Sequence, residues 1–273
     1  MTGTNTANQR VAIAGFGAIG MRIARALDAG IPGYALAAVS AHDREKAKKR
    51  LSGLSRAVPV VSIEQLEPLA DVVVECAPAA LLPSIAAPFL RNGKTAIVLS
   101  AGALLSNEGL IELAKNHGGQ IVVPTGALLG LDAVTAAAEG EIRRVTMISK
   151  KPIAGLLGAP HLVTNGINIE GITAPLRVFR GNAREAAVGF PANLNVAVAL
   201  SLAGIGPDRT IVEMWADPSL TRNTHTIQVE ADSASFSMSI ENVPSENPKT
   251  GIITALSVIS YLRKARAALR VGS

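Results

Sequence analysis

Arg10-Val11-Ala12-Ile13-Ala14-Gly15-Phe16-Gly17-Ala18-Ile19-Gly20-Met21 is the stretch that decides the fold. A short apolar run ends in three glycines, and helical spacing begins at Ile19. Glycines in the pattern G-x-G-x-x-G, after a strand and at the opening of a helix, form the phosphate-binding turn of a dinucleotide unit. Gly15 permits the tight turn, Gly17 lets a pyrophosphate approach the backbone, and Gly20 allows close helix–strand packing. The amides of Phe16, Ala18 and Ile19 then face the phosphates at the positive end of a helix dipole.

The residues around this stretch repeat its rhythm. Val11 to Ala14, Ala35 to Ser40, Asp71 to Cys76, Thr95 to Leu99 and Gln120 to Val123 read as buried strands. Ile19 to Ala29, Arg44 to Leu51, Leu81 to Arg91 and Asn107 to Asn116 read as helices between them. Parallel neighbours need crossover helices, so the alternation predicts α/β architecture with an N-terminal Rossmann-type, doubly wound parallel sheet over residues 1–125. Past residue 125 the rhythm changes. A helix over Gly130 to Glu139 and strands over Arg143 to Ser149, Thr226 to Glu230 and Ser235 to Glu241 predict a second, α+β domain over residues 126–250. A closing helix within residues 251–273 is expected to pack back on the first domain.

Composition agrees with a globular chain. Of 273 residues, 48% are hydrophobic and only 3% aromatic, so the core must be aliphatic, as where helices pack closely on a sheet. The net charge of +5 comes with few aromatics for base stacking and no nucleic-acid motif, so anionic small molecules fit it better than nucleic acid. The basic run Arg44 to Arg50 reads as a solvated helix face. No apolar run is long enough to span a bilayer. With one cysteine, Cys76, no intramolecular disulfide can form, and a reducing cytoplasm is the expected location. A single cysteine and 4 scattered histidines give no metal-ligand spacing.

The end of the second strand bears on the choice of cofactor. An NAD-specific unit has an acid there for the ribose hydroxyls, whereas here Ser40 stands in that place, with Arg44 and Lys46 following. NADP is therefore expected to be accepted, with a preference for it as one outcome, or else Asp43 reaches back to serve NAD and the cations are solvated. Ala77-Pro78 and Ser100 to Ala103 follow later strand ends and should border the nicotinamide half, because open α/β sheets bind ligands beyond the carboxyl ends of their strands.

Beyond the nucleotide unit, polar residues gather with turn formers in Pro124-Thr125-Gly126-Ala127, in Phe190-Pro191-Ala192-Asn193-Leu194-Asn195-Val196-Ala197, and in Asn223-Thr224-His225. Together with Ser149-Lys150-Lys151-Pro152, Leu200 to Gly204 and Glu241 to Thr250, and in this order, they make the chain resemble the L-aspartate dehydrogenase family. The resemblance implies NAD(P)-dependent oxidation of L-aspartate to iminoaspartate. That product hydrolyses to oxaloacetate and ammonia or feeds pyridine nucleotide synthesis, and the reverse reaction is a reductive amination. It implies His225 as the catalytic residue, Ala127 and Asn195 lining the nicotinamide region, and a homodimer, which is also the commonest assembly. In the family an acidic residue commonly follows the triplet. Here Thr226 does, which leaves the imidazole less basic if that acid orients it.

The chemistry asks for such a set independently. Hydride leaves an α-carbon only as the amine loses a proton, and an imine needs an activated water for hydrolysis. A histidine suits both tasks, and His225 is better placed than His42, His117 or His161, although without the resemblance a structural, hydrogen-bonded histidine is an equal reading of it. A dicarboxylate needs cationic or amide donors. Lys151, at a strand end before a proline, is the first candidate, followed by Asn193 and Asn223, with Lys249 and Arg209 as further options. Two other readings remain: an imine or dihydropyridine reductase acting on another small carboxylate, and a non-catalytic dinucleotide-binding sensor, which would need no histidine.

Overall fold

The computed structural model describes residues 8–191, 194–245 and 251–272. It divides into two compact units: one runs to Pro124 and takes back Ala255–Val271, and the other is Thr125–Thr254.

The first unit contains β1 (Gln9–Ala14), α1 (Ala18–Asp28), β2 (Tyr34–Ser40), α2 (Arg44–Leu51), β3 (Val60–Val61), β4 (Val72–Glu75), α3 (Leu82–Arg91), β5 (Thr95–Val98), α4 (Ala101–Leu104), α5 (Gly109–His117) and β6 (Gln120–Val122). Every strand pairing in its sheet is parallel, in the order β3-β2-β1-β4-β5-β6. Both faces are covered, and β1 shows why its sequence is continuously apolar. Val11 and Ile13 enter a core with Ile23 and Leu27 of α1 and Leu51 of α2. Ala12 and Ala14 enter the opposite core with Ile85 and Phe89 of α3. Each of these Val, Ile, Leu and Phe side chains stabilises the fold by roughly 1.5–3 kcal/mol when fully buried, and each alanine by less. Strand order reverses between β2 and β4 on either side of β1. A crevice for a ligand therefore lies beyond the end of β1, where Gly15 begins.

The second unit comprises α6 (Leu131–Ala138), β7 (Ile142–Lys151), α7 (Pro160–Thr164), β8 (Leu176–Asn182), α8 (Ala183–Gly189), α9 (Asn195–Ala203), β9 (Ile211–Ala216), β10 (Thr224–Ala231) and β11 (Ser235–Glu241). Its mixed sheet has the order β11-β10-β7-β9-β8. Neither β8 nor β9 was expected from the sequence. β8 interrupts its alternation with a register shift between Arg177 and Phe179, and β9 carries apolar residues on both faces, Ile211 and Trp215 on one and Val212, Met214 and Ala216 on the other, so its sequence shows no polar–apolar period. α7 and α8 are too short to show a helical period, and α9 follows a turn-rich segment.

α10 (Ile252–Ala265) closes the chain, and its Ala255, Val258 and Leu262 enter the core that α1 and α2 share with the first sheet. Among the described residues no helix is long and apolar enough to cross a membrane.

Candidate active site

The glycine turn has the shape a dinucleotide requires. Gly15 sits at φ +96°, and a Cβ there would run into the Cys76 carbonyl and stand 2.7 Å from the Ala77 nitrogen. A Cβ on Gly20 would run into the Gly15 carbonyl. Gly17 has nothing within 4 Å, so its side is open to an approaching pyrophosphate. α1 begins at Ala18 with Gly17 as N-cap, no side-chain cap and no acid in its first turn, which leaves its first amides free for an anion. These residues fit a dinucleotide. The turn is anchored on both sides, by Gly15 N–H to the Ser40 carbonyl at 2.8 Å and by Cys76 N–H to the Ala14 carbonyl at 2.7 Å.

Glu75, a residue the sequence reading passed over, organises the neighbouring loops. It ends β4 fully buried. Its carboxylate accepts from Ala77 N (3.1 Å), Leu99 N (3.1 Å), Ser100 N (2.8 Å) and Ser100 Oγ (3.0 Å). Burial pushes its pKa up, and the bonds from Ser100, Leu99 and Ala77 pull against that shift. Ala77-Pro78 and the Ser100 loop are thus tied together by one side chain. The available signal was a lone carboxylate closing an otherwise apolar strand. Burial, and next the Glu75 charge, pushes the Cys76 thiol up, as suits a structural cysteine.

One expectation for α2 needs correction. Lys46, Lys48 and Lys49 are exposed, but Arg50 is half-buried and its Nη1 donates to the Phe16 carbonyl at 3.2 Å. The last turn of α2 brings this side chain back toward the glycine turn, so the basic run is not wholly a solvated face. Arg44 is exposed. Asp43 caps α2, accepting from Lys46 N at 2.9 Å, and so is engaged with its own helix.

In the second unit the buried face of the sheet changes from apolar to polar along its length. On β7 the buried positions run Val145, Met147, Ser149, Lys151, and on the antiparallel β10 they run Val229, Ile227, His225. The register pairs Val145 with Val229, Met147 with Ile227 and Ser149 with His225. His225 (2% exposed) and Lys151 (3% exposed) therefore share the polar end of one face, and Ser149 Oγ lies 3.0 Å from His225 Nδ1. Burial first, and then the Lys151 charge, holds the imidazole down at about 3, and burial pushes the Lys151 ammonium down to about 8. Among the described residues no carboxylate forms an ion pair with Lys151. Its neighbour Lys150 lies on the opposite face, with Nζ 6.0 Å from the Trp215 ring centroid.

The same alternation corrects the expectation for Thr226. Successive strand residues point to opposite faces. Thr226 bonds Ser239 Oγ at 2.7 Å on the outer face, and the partner at His225 Nδ1 is Ser149. The signal for Ser149 was its spacing of two from Lys151.

Asn223 lies next to this cluster: a Cβ placed on Gly155 would stand 3.9 Å from both Asn223 Oδ1 and Lys151 Cβ. The Asn223 carbonyl accepts from Asn242 N at 2.8 Å. Asn242, also passed over as a site residue, is buried and donates Nδ2–H to the Ala127 carbonyl at 2.9 Å, while its Oδ1 has no partner among the described residues. Ala127 is thereby tied to the end of β11. Asn195 is the exposed first residue of α9. Asn193 and Lys249 lie outside the described residues. Arg209 donates to the Ile142 carbonyl at 3.4 Å. His161 is packed against Phe179 and Phe190, His117 accompanies the Leu113 carbonyl at 3.0 Å, and His42 is exposed.

Comparison with known proteins bears on both units. A family model described as homoserine dehydrogenase, NAD binding domain, matches residues 15–124, and one described as aspartate dehydrogenase, C-terminal, matches residues 132–265. The chain is 60% identical over 270 residues to an L-aspartate dehydrogenase of Bradyrhizobium diazoefficiens, covering 99% of this chain and 96% of that one. It is 57% identical over 264 residues to L-aspartate dehydrogenase 3 of Bordetella bronchiseptica, covering 96% and 97%. The crystal structure of aspartate dehydrogenase from Thermotoga maritima matches with a TM-score of 0.72 at 24% identity, covering 97% of this chain and all of that one, which shows a shared fold.

Proposed function

The chain belongs to the L-aspartate dehydrogenase family, and on that premise we propose that His225 and Lys151 carry the oxidation of L-aspartate to iminoaspartate, which yields oxaloacetate and ammonia, and its reversal. The protein is an NAD(P)-dependent dehydrogenase. When bound, the dinucleotide accepts hydride from the substrate α-carbon. Gly15, Phe16, Gly17, Ala18, Ile19 and Gly20 would hold its pyrophosphate. Ser40 and Arg44 would border its ribose, and Ala77, Pro78, Ala127 and Asn195 its nicotinamide end.

The observation that carries the reading is the buried pair of Lys151, which has no carboxylate partner among the described residues, and neutral His225. A buried cation without a counter-ion is costly unless a ligand supplies the charge. A substrate carboxylate does so, with Asn193 and Asn223 as neutral donors. In the tautomer that donates Nδ1–H to Ser149, His225 Nε2 holds a lone pair, takes a proton from the substrate ammonium and releases it to solvent; free again, it takes the proton of the water that attacks the imine and returns it to the departing amine. Neutralising Lys151 with a carboxylate also removes one of the influences that hold the imidazole down, so substrate binding makes His225 a stronger base.

We also propose that the protein acts as a homodimer in the reducing cytoplasm. Closed symmetric pairs are the commonest assembly, and a chain with one cysteine has no need of an oxidising compartment. Sedimentation of the purified protein at micromolar concentration tests the assembly.

The function is tested by following NAD(P)H absorbance with oxaloacetate plus ammonium, and with L-aspartate in the other direction. Turnover in both, lost in Lys151→Ala and His225→Ala, is expected. Tight cofactor binding without turnover in either direction would reject the dehydrogenase in favour of a dinucleotide sensor.

A further inference from the structure

The end of β2 and the start of α2 frame the ribose of a dinucleotide held by such a unit. The acidic groups here already have other partners. Asp43 caps α2 through Lys46 N, and Glu45 pairs with Lys48 at 2.8 Å. Glu64 is held ionised by the Ser62 hydroxyl first, and the charge of Arg44 adds to that effect. Asp43 and Glu45 are thus engaged within α2, and the end of β2 itself carries Ser40 where an acid would serve a ribose diol.

Arg50 stands apart from the other cations of α2. It is half-buried, it donates Nη1–H to the carbonyl of Phe16 at 3.2 Å, and it forms no ion pair among the described residues. Phe16 is the middle residue of Gly15-Phe16-Gly17, and the Gly15 amide is bonded to the carbonyl of Ser40 at 2.8 Å. The end of β2, the glycine turn and the guanidinium are therefore one connected piece of structure. A guanidinium has five N–H donors, so one bond to a main-chain carbonyl fixes its position and leaves the others for an anion.

We propose that Arg50, with Ser40, forms a subsite for the 2′-phosphate of NADP, and that this protein binds NADP in preference to NAD. A phosphoryl group takes charge-assisted bonds from a guanidinium, whereas the neutral diol of NAD gains no such bond from it. The inference rests on the reading that the glycine turn holds a dinucleotide, and it names the chemistry that distinguishes the two forms.

The test titrates the intact protein with NADPH and NADH by nicotinamide fluorescence, and with 2′,5′-ADP and 5′-AMP by calorimetry, for wild type, Arg50→Gln and Arg44→Gln. Wild type should bind each 2′-phosphorylated ligand at least about tenfold more tightly than its partner. Arg50→Gln should lose about ten- to a hundredfold for the phosphorylated ligands, the range for a charge-assisted bond, with NADH changed by less than about threefold. Arg44→Gln should keep more of the preference than Arg50→Gln. Equal or tighter binding of NADH by wild type overturns the proposal. So does an Arg50→Gln variant that weakens all four ligands alike, since Arg50 would then only support the turn. If wild type binds neither dinucleotide, the dinucleotide reading itself fails, and that result appears before any variant is made.

Discussion

Ser149 and His225 face each other across the antiparallel strands β7 and β10, with the serine hydroxyl 3.0 Å from Nδ1 of the imidazole. The contact engages Nδ1, leaves Nε2 for the proposed acid–base role, and holds the ring on a face where every neighbour along the strands is buried. His225→Ala should lower kcat by roughly two to four orders of magnitude, the range for losing an acid–base group, with cofactor affinity retained. Ser149→Ala should lower kcat by about tenfold at nearly unchanged KM, because the imidazole is still present but less well oriented. Steady-state kinetics of both variants and of the double variant check this. A Ser149→Ala effect that persists undiminished in the His225→Ala background would show that the hydroxyl acts independently of the histidine.

Lys151 predicts a pH dependence with a definite sign. Its ammonium, held at about 8, must be charged to bind a carboxylate, so KM for L-aspartate should rise as pH passes through 8. In Lys151→Arg, which stays charged, that rise should vanish even if KM is higher throughout. Stability should follow the same shifts. Between about 8 and 10.5 the unfolded chain binds a proton at Lys151 that the folded chain has released, so the folded state gains as pH rises through that window. Between about 3 and 6.5 the unfolded chain binds a proton that His225 refuses when folded, so stability falls as pH drops below 6.5. Urea unfolding of wild type and His225→Leu across pH 4–7 checks the acid limb, whose slope should flatten in the variant.

The glycines of the turn should separate folding from binding. Gly17 has φ −82° and open space around it, so Gly17→Ala should fold with an unchanged Tm yet bind the dinucleotide more weakly, by about tenfold or more. Gly15→Ala places a side chain at φ +96° against the Cys76 carbonyl and should destabilise the fold by about 2 kcal/mol or more. Thermal melts paired with fluorescence titration decide the matter. Normal cofactor affinity in Gly17→Ala would contradict the assigned approach of the pyrophosphate.

Glu75 should couple stability to cofactor affinity. Glu75→Gln keeps the volume but turns an amide donor toward N–H groups that now meet a carboxylate oxygen, leaving a buried donor unpaired at a cost of about 1–3 kcal/mol. The loops at Ala77 and Ser100 lose their common anchor, so Tm and dinucleotide affinity should fall together. A lower Tm with unchanged affinity would mean that these loops do not border the cofactor.

The first unit was largely legible because its signals are local. A strand buried on both faces must be apolar throughout, as Val11 to Ala14 is, and a turn at φ +96° must be glycine, as Gly15 is. The second unit was less legible for the opposite reason. β8 breaks its alternation at the register shift, and β9 is apolar on both faces apart from Glu213, so neither shows the polar–apolar period that marks β10 and β11.

By itself the sequence determined the doubly wound sheet and the glycine turn that follows its first strand, since each depends on residue type at short spacing. Only the tertiary structure decided the company of the site residues. Which residues meet across a sheet depends on register, and a shift of one position exchanges the two faces. Register placed Ser149 rather than Thr226 at His225. Packing buried Glu75 beneath two loops and returned Arg50 to the carbonyl of Phe16. Such contacts join residues 25 to 76 positions apart, a distance over which no periodicity in the chain extends.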